Sequence, residues 1–288
     1  MKLISDEDTF LNMKITLNCK GRILDLSTPA IMAVINITPD SFYNEGSIPD
    51  VNAALLAAEK MLNEGADILD IGGQSTRPGA KRISSEAEWL RIGNAIEIIH
   101  KKFPDAIISV DTFYSDVAKK AISAGASIVN DISGGELDSD MHSFISESNV
   151  PYVLMHMQGN PENMQDNPTY DNVVADVLNF FIKKVNELRL KGVSDIIIDP
   201  GFGFGKTLVD NYTLLKNLSV FHMLDCPILA GLSRKSMVTK SLNIKSEGAL
   251  NGTTVLNTIA LLNGASLLRV HDVREAVEVR KIIEQYHR

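Results

Sequence analysis

The chain has 288 residues, with 28 Lys plus Arg against 36 Asp plus Glu, a net charge of −8 at pH 7, and 44% hydrophobic residues. That balance repels phosphate backbones and anionic lipid surfaces, and the apolar content is too high for a disordered chain, so neither nucleic acid nor membrane is an expected partner. Two cysteines, Cys19 and Cys226, make neither a disulfide framework nor a zinc site, and a reduced cytoplasm is the expected location.

In chain order, residues 1–12 read as a leader, acidic from Asp6 and without the apolar stretch of a signal peptide. Met13 is a candidate internal start, and residues 13–288 read as one domain. A hairpin is expected from Lys14–Leu17 and Arg22–Leu26, turning at Asn18-Cys19-Lys20-Gly21. Eight short apolar runs follow: Ala30–Asn36, Ile68–Ile71, Ile107–Val110, Ile128–Asp131, Tyr152–Met155, Ile196–Asp199, Ile228–Gly231 and Leu267–Val270. They are continuous rather than alternating, as in strands of a parallel sheet buried on both faces. Even the longest runs, such as 30–35, fall well short of the ~18 residues that span a bilayer.

Helical spacing separates the runs at Val51–Asn63, Ser85–Phe103, Tyr114–Ala124, Asp140–Ser148, Asn172–Lys191, Val209–Met223, Asn251–Asn263 and Val273–Tyr286. Gly65 and Gly125 are placed to end helices in a left-handed cap, and Ser84 or Ser85 to start one. Eight strands each followed by a helix predict an α/β chain folded as a single (β/α)8 TIM barrel with a short N-terminal β-hairpin. A doubly wound open sheet is the rival, but no Gly-x-Gly-x-x-Gly follows the first strand.

In such a barrel the active site lies where strands run into the following loops. Every strand here ends in polar residues, among them Asn36, Arg77, Asp111, Asn130, Asp199, Lys235, Arg269 and His271. They divide chemically. Asp111, Asn130 and Asp199 suit a flat heterocycle with several N–H groups, whereas Arg77, Lys235, Arg269 and His271 suit an anion. Two nucleotide motifs fail. Gly205-Lys206-Thr207 looks like the end of a phosphate-binding loop, but Pro200 stands where that loop needs glycine. Gly201-Phe202-Gly203-Phe204-Gly205 lacks the final spacing of a dinucleotide fingerprint.

Seven ordered motifs carry a resemblance: Asn36-Ile37-Thr38-Pro39-Asp40-Ser41-Phe42, Ser75-Thr76-Arg77-Pro78-Gly79, Ser109-Val110-Asp111-Thr112, Val129-Asn130-Asp131-Ile132, Asp199-Pro200-Gly201-Phe202-Gly203-Phe204-Gly205-Lys206, Ser233-Arg234-Lys235-Ser236 and Arg269-Val270-His271-Asp272. From about residue 30 onward the chain resembles the dihydropteroate synthases. These enzymes join 6-hydroxymethyl-7,8-dihydropterin diphosphate to 4-aminobenzoate and release pyrophosphate in folate biosynthesis. The resemblance implies a pterin site of Asp111, Asn130, Met155, Asp199 and Lys235. It implies diphosphate contacts from Asn36, Thr76, Arg77, Arg269 and His271, with Asn36 as the protein ligand of Mg²⁺. An aminobenzoate site of Thr76, Pro78, Phe204, Lys235 and Ser236 also follows from it, the carboxylate lying at a helix start near Ser236.

Asp111, Lys235 and Arg77 are the expected catalytic residues, in an SN1-like displacement at the exocyclic methylene carbon with Asp111 stabilising a pterin cation. The long first and second loops are expected to close over the diphosphate and complete the aminobenzoate site. Gln74 departs from the family's usual Glu, and Asn44-Glu45-Gly46 from its usual acidic-glycine ending. Pairing through the last helices is implied, hence a homodimer.

Two other readings remain open at this point. One is a related pterin-binding barrel that passes a methyl group from a reduced folate to a corrinoid protein. The other is a non-catalytic pterin binder, against which Asn36, Arg77 and His271 together count, because binding a pterin alone requires no diphosphate clamp.

Overall fold

A computed structural model describes residues 16–38, 51–75, 79–161, 164 and 166–288. The expected leader, Lys14, most of the first long loop, and Thr76, Arg77 and Pro78 lie outside the described residues. Two strands, β1 (Thr16–Cys19) and β2 (Arg22–Asp25), form the N-terminal hairpin. Eight parallel strands follow: β3 (Ala30–Asn36), β4 (Ile68–Gly72), β5 (Ile107–Asp111), β6 (Ile128–Asp131), β7 (Tyr152–Met155), β8 (Ile196–Asp199), β9 (Leu229–Ala230) and β10 (Leu267–Val270). Their order is β8-β7-β6-β5-β4-β3-β10-β9, and a parallel bridge between Ile198 and Ile228 brings the two ends together as a barrel.

Around the strands lie α1 (Val51–Glu64), α2 (Ser85–Lys102), α3 (Ser115–Ala124), α4 (Met141–Ser148), α5 (Val173–Leu190), α6 (Leu208–Lys216), α7 (Ser236–Leu242), α8 (Leu250–Leu262) and α9 (Val273–Tyr286). Gly65 and Gly125 take positive φ at the ends of α1 and α3, and the Ser84 side chain accepts from the Ala87 N–H at the start of α2, as expected. No described helix is long and apolar enough to cross a membrane.

Three expectations need correction. The hairpin turns on two residues, Lys20 and Gly21, both at positive φ, rather than on four. Two left-handed residues match the right-handed twist of paired strands. The span 209–223 is not one helix: α6 ends at Lys216 and a 3₁₀ segment covers Leu218–Leu224. The helix α7 stands between β9 and α8, outside the eight expected helical spans.

Strand alternation divides the core into two shells. Ile31, Ala33, Ile35, Leu69, Ile108, Val129, Leu154 and Ile198 face the helices. Met32, Ile68, Ile128, Val153, Ile197, Leu229 and Leu267 fill the barrel floor, where Leu17, Cys19 and Leu26 of the hairpin segment join them. The hairpin therefore plugs the end at which the strands begin. It is tied there by Asn18 N–H to Asp195 Oδ2 at 2.8 Å and by Lys20 Nζ to the Ile122 carbonyl at 2.8 Å. Leu17→Ala should cost roughly 2–5 kcal/mol, read as a lower urea midpoint at unchanged slope. A midpoint equal to that of the parent would show that the hairpin is not part of the cooperative unit.

Candidate active site

At the opposite end of the barrel the inward positions change from aliphatic to polar. Register pairs Val34 with Asp70, Asp70 with Ser109, Gly72 with Asp111, Asp111 with Asn130, and Met155 with Asp199. Because side chains alternate along each strand, this register puts Asp70, Asp111, Asn130, Met155 and Asp199 on the inner surface of one rim. Arg269 joins them from β10. All but Arg269 are buried.

Buried carboxylates require partners, and here most of the partners are other site residues. Arg269 donates from Nε to Asp70 Oδ2 at 2.7 Å and from Nη2 to Asp111 Oδ2 at 2.6 Å. Asn130 Nδ2 donates to the same Asp70 oxygen at 3.0 Å. Asp199 Oδ1 accepts the Gly201 N–H at 2.7 Å. Lys235, the residue before α7, turns its ammonium inward to the Phe202 carbonyl and over the Phe204 ring, 4.7 Å from its centroid.

Gly231 stands beside this group: a Cβ there would lie in ordinary contact, 3.6 Å from Lys235 Nζ and 3.9 Å from Asp199 Oδ2 and Arg269 Cβ. Lys235, Asp199 and Arg269 therefore converge on one small space.

Burial sets the electrostatics. It pushes the Asp111 carboxyl up to about 7; Arg269 opposes the rise, while Asp70, Asp131 and Asp199 add to it. Asp199 is likewise raised by burial, against the pull of Lys235 and the Gly201 N–H. Desolvation lowers Lys235 to about 8 although Asp199 favours its charged form. The pocket thus holds its carboxylates at the expense of desolvation and offers them to incoming N–H donors.

At the rim, His271 N–H donates to Ser233 Oγ at 3.2 Å, and Nδ1 lies 3.1 Å from the same oxygen. Arg234 makes a two-point pair with Asp272 at 3.0 and 2.6 Å, knitting the loop after β9 to the loop after β10. Asn36 ends β3 half-buried, beside Gly72. Ser236 opens α7 exposed to solvent. The two loop phenylalanines separate: Phe202 anchors in the shell under the helices, whereas Phe204 packs on the rim with Phe113, Ile132, Met155 and Met164.

Asp131, next to Asn130, faces away from the pocket. Its carboxylate accepts from Ser133 N–H and Oγ, Gly135 N–H and Tyr152 OH, all within 2.8 Å, and so shapes a loop. The residue that sequence reasoning missed is Asp70. It is fully buried and holds Arg269, yet it sits inside an apolar run that reads as strand. The usable signal was chemical: one acid in a strand buried on both faces needs a buried cation. Of the other expected site residues, Thr76, Arg77 and Pro78 lie outside the described residues.

Comparison with known proteins gives concordant findings. The model of the family described as pterin binding enzyme matches residues 32–271. A dihydropteroate synthase of Escherichia coli (strain K12) is 42% identical over 271 residues, which covers 92% of this chain and 94% of the relative. Two solved structures from Xanthomonas albilineans superpose closely. A dihydropteroate synthase with 4-aminobenzoic acid has a TM-score of 0.88 at 38% identity, covering 94% of this chain and 97% of that one. One in complex with 7,8-dihydropteroate has a TM-score of 0.85 at 35% identity, covering 94% and 98%.

Proposed function

The chain belongs to the dihydropteroate synthase family of pterin-binding enzymes, and from that premise we propose how its own residues divide the work. The chain is a transferase of folate biosynthesis. It condenses 6-hydroxymethyl-7,8-dihydropterin diphosphate with 4-aminobenzoate to give 7,8-dihydropteroate and pyrophosphate. The observation that carries the division of roles is the convergence of Asp111, Asn130 and Asp199 with Arg269 and Lys235 on one rim.

Asp199 accepts two parallel N–H bonds from the pyrimidine edge of the pterin, with Asn130 and Lys235 beside it and Met155 as a wall. Asp111 takes a ring N–H. As the diphosphate leaves and positive charge grows on the pterin, this carboxylate stabilises the cation. Arg269 uses one of its five N–H groups on Asp70 and one on Asp111, which leaves donors for the diphosphate. Arg77, Thr76, His271 and Asn36 complete that clamp. Aminobenzoate lies among Thr76, Pro78, Phe204, Lys235 and Ser236 and attacks through its neutral amine, so no strong general base is required.

Among the described residues no group of three His, Cys, Asp or Glu side chains could hold a metal. Asn36 presents one neutral amide oxygen at the half-buried end of β3. This donor set fits Mg²⁺ that keeps its waters and takes most other ligands from the substrate diphosphate. When bound, the ion would offset negative charge on the departing group.

Pairing into a homodimer is supported by the exposed stripe Val255, Ile259 and Leu262 on α8, with Leu242 on α7. The two cysteines are buried free thiols, consistent with a cytoplasmic setting.

The test is pyrophosphate release from purified protein given Mg²⁺, pterin diphosphate and aminobenzoate. Release is expected only with all three present. Release without aminobenzoate would mean hydrolysis and would overturn the condensation.

A further inference from the structure

None of the roles above uses Lys206, although its ammonium is among the most enclosed groups in the protein, at 3% exposure. Nζ lies 3.0 Å from the Gly201 carbonyl, 3.0 Å from the Phe204 carbonyl, 3.3 Å from the His156 carbonyl and 3.0 Å from His156 Nδ1. Burial, with the neighbouring ammonium, pushes His156 down to about 2, so the imidazole is neutral and Nδ1 can accept.

Two loops, after β7 and after β8, thus turn their acceptors onto one amine, which burial lowers to about 7 against the pull of Asp199 and which donates N–H bonds to them. A phosphate-binding loop does the reverse and points N–H groups at an anion, which is the physical reason that Gly205-Lys206-Thr207 is not one.

The backbone between Asp199 and Lys206 follows from this convergence. Gly201, Gly203 and Gly205 have φ of +69°, +82° and +60°. A Cβ on Gly201 would come within 2.0 Å of the His156 carbonyl oxygen, so the two loops touch backbone to backbone. The alternation sends Phe202 into the outer core and Phe204 to the rim. Both products of that geometry bear on Lys235: its Nζ donates to the Phe202 carbonyl and rides over the Phe204 ring. Asp199 is bound to the Gly201 N–H in the same loop.

We propose that Lys206 is a positioning residue for the aminobenzoate half of the reaction: by gathering the carbonyls of Gly201, Phe204 and His156 it holds Phe202 and Phe204 where they fix Lys235. The proposal rests on the roles given above to Lys235 and Phe204. It acts on aminobenzoate more than on pterin. Of the pterin residues, Asp111, Asn130 and Asp199 stand on strands and only Lys235 is held through this loop, whereas Phe204 and Lys235 of the aminobenzoate site both are. Removing the ammonium need not release the loop altogether. Tyr170 OH still donates to the Gly205 carbonyl at 2.7 Å, and Asn211 Oδ1 accepts the Gly203 N–H at 2.7 Å.

The experiment is steady-state kinetics on Lys206→Met and Lys206→Gln, with pterin diphosphate affinity measured separately by calorimetry. Lys206→Met is expected to raise the aminobenzoate KM about tenfold or more, and Lys206→Gln, which keeps two N–H donors, by less. Pterin diphosphate affinity should change by less than about threefold in both. If Lys206→Met does not accumulate folded, Lys206→Gln decides alone. An aminobenzoate KM unchanged from the parent, or losses spread equally over both substrates, would overturn the proposal. Lys235→Met is the control for the reading beneath it: if that variant leaves the aminobenzoate KM unchanged, the assignment of Lys235 is what has failed.

Discussion

Asp111→Asn is expected to lower kcat by about 10²–10³-fold while pterin diphosphate affinity changes less than about tenfold. The amide oxygen can still accept a ring N–H, so much of the ground-state contact survives. It cannot supply the negative charge that opposes a growing cation, and that interaction is felt only in the transition state. The pH dependence follows from burial. The Asp111 carboxyl is pushed up to about 7, so it protonates as pH falls through neutrality and its charge is lost there. Because the folded value lies above the unfolded one, protonation stabilises the fold at the same pH at which it removes the catalytic charge. Asp111 should therefore contribute an acid limb near neutrality to the kcat/KM profile of the parent, and Asp111→Asn should remove that contribution while the limb set by the raised Asp199 carboxyl stays. Equal losses of turnover and affinity would sink the cation role.

Asp199→Asn is the second large effect, and it falls on binding. Two parallel bonds to the pyrimidine edge need two acceptors, whereas an asparagine presents one acceptor and one donor, which faces an N–H. Lys235 also loses the carboxylate that favours its charged form. Calorimetry should find pterin diphosphate affinity down on the order of 10²–10³-fold, the range for breaking a buried charged pair. The oxygen that accepts the Gly201 N–H is retained by the amide, so the loop and the thermal unfolding midpoint should change little. A variant that binds the pterin normally would remove Asp199 from the site.

Much of the barrel was legible because its strands are buried on both faces and read as continuous apolar runs. Ala30–Asn36, Ile128–Asp131, Tyr152–Met155, Ile196–Asp199 and Leu267–Val270 have the expected bounds. The break after α6 was not legible by helical counting. Leu218, Phe221 and Leu224 are all buried, and their period of three suits a 3₁₀ turn, in which such residues eclipse. A window tuned to 3.6 residues absorbs that pattern into a longer helix.

By itself the sequence determined the parallel barrel and the end of it at which the polar residues gather. Those properties are local, residing in runs of residues and in what terminates them. Only the tertiary structure decided that Asp70 holds Arg269 at the site and that Lys206 ties two loops. Both depend on which groups share a buried space across 50 or more positions of chain, Lys206 with His156 and Arg269 with Asp70. Burial makes every unpartnered polar atom costly, and the identity of the partner is fixed by the closure of the barrel rather than by any residue's neighbours in sequence.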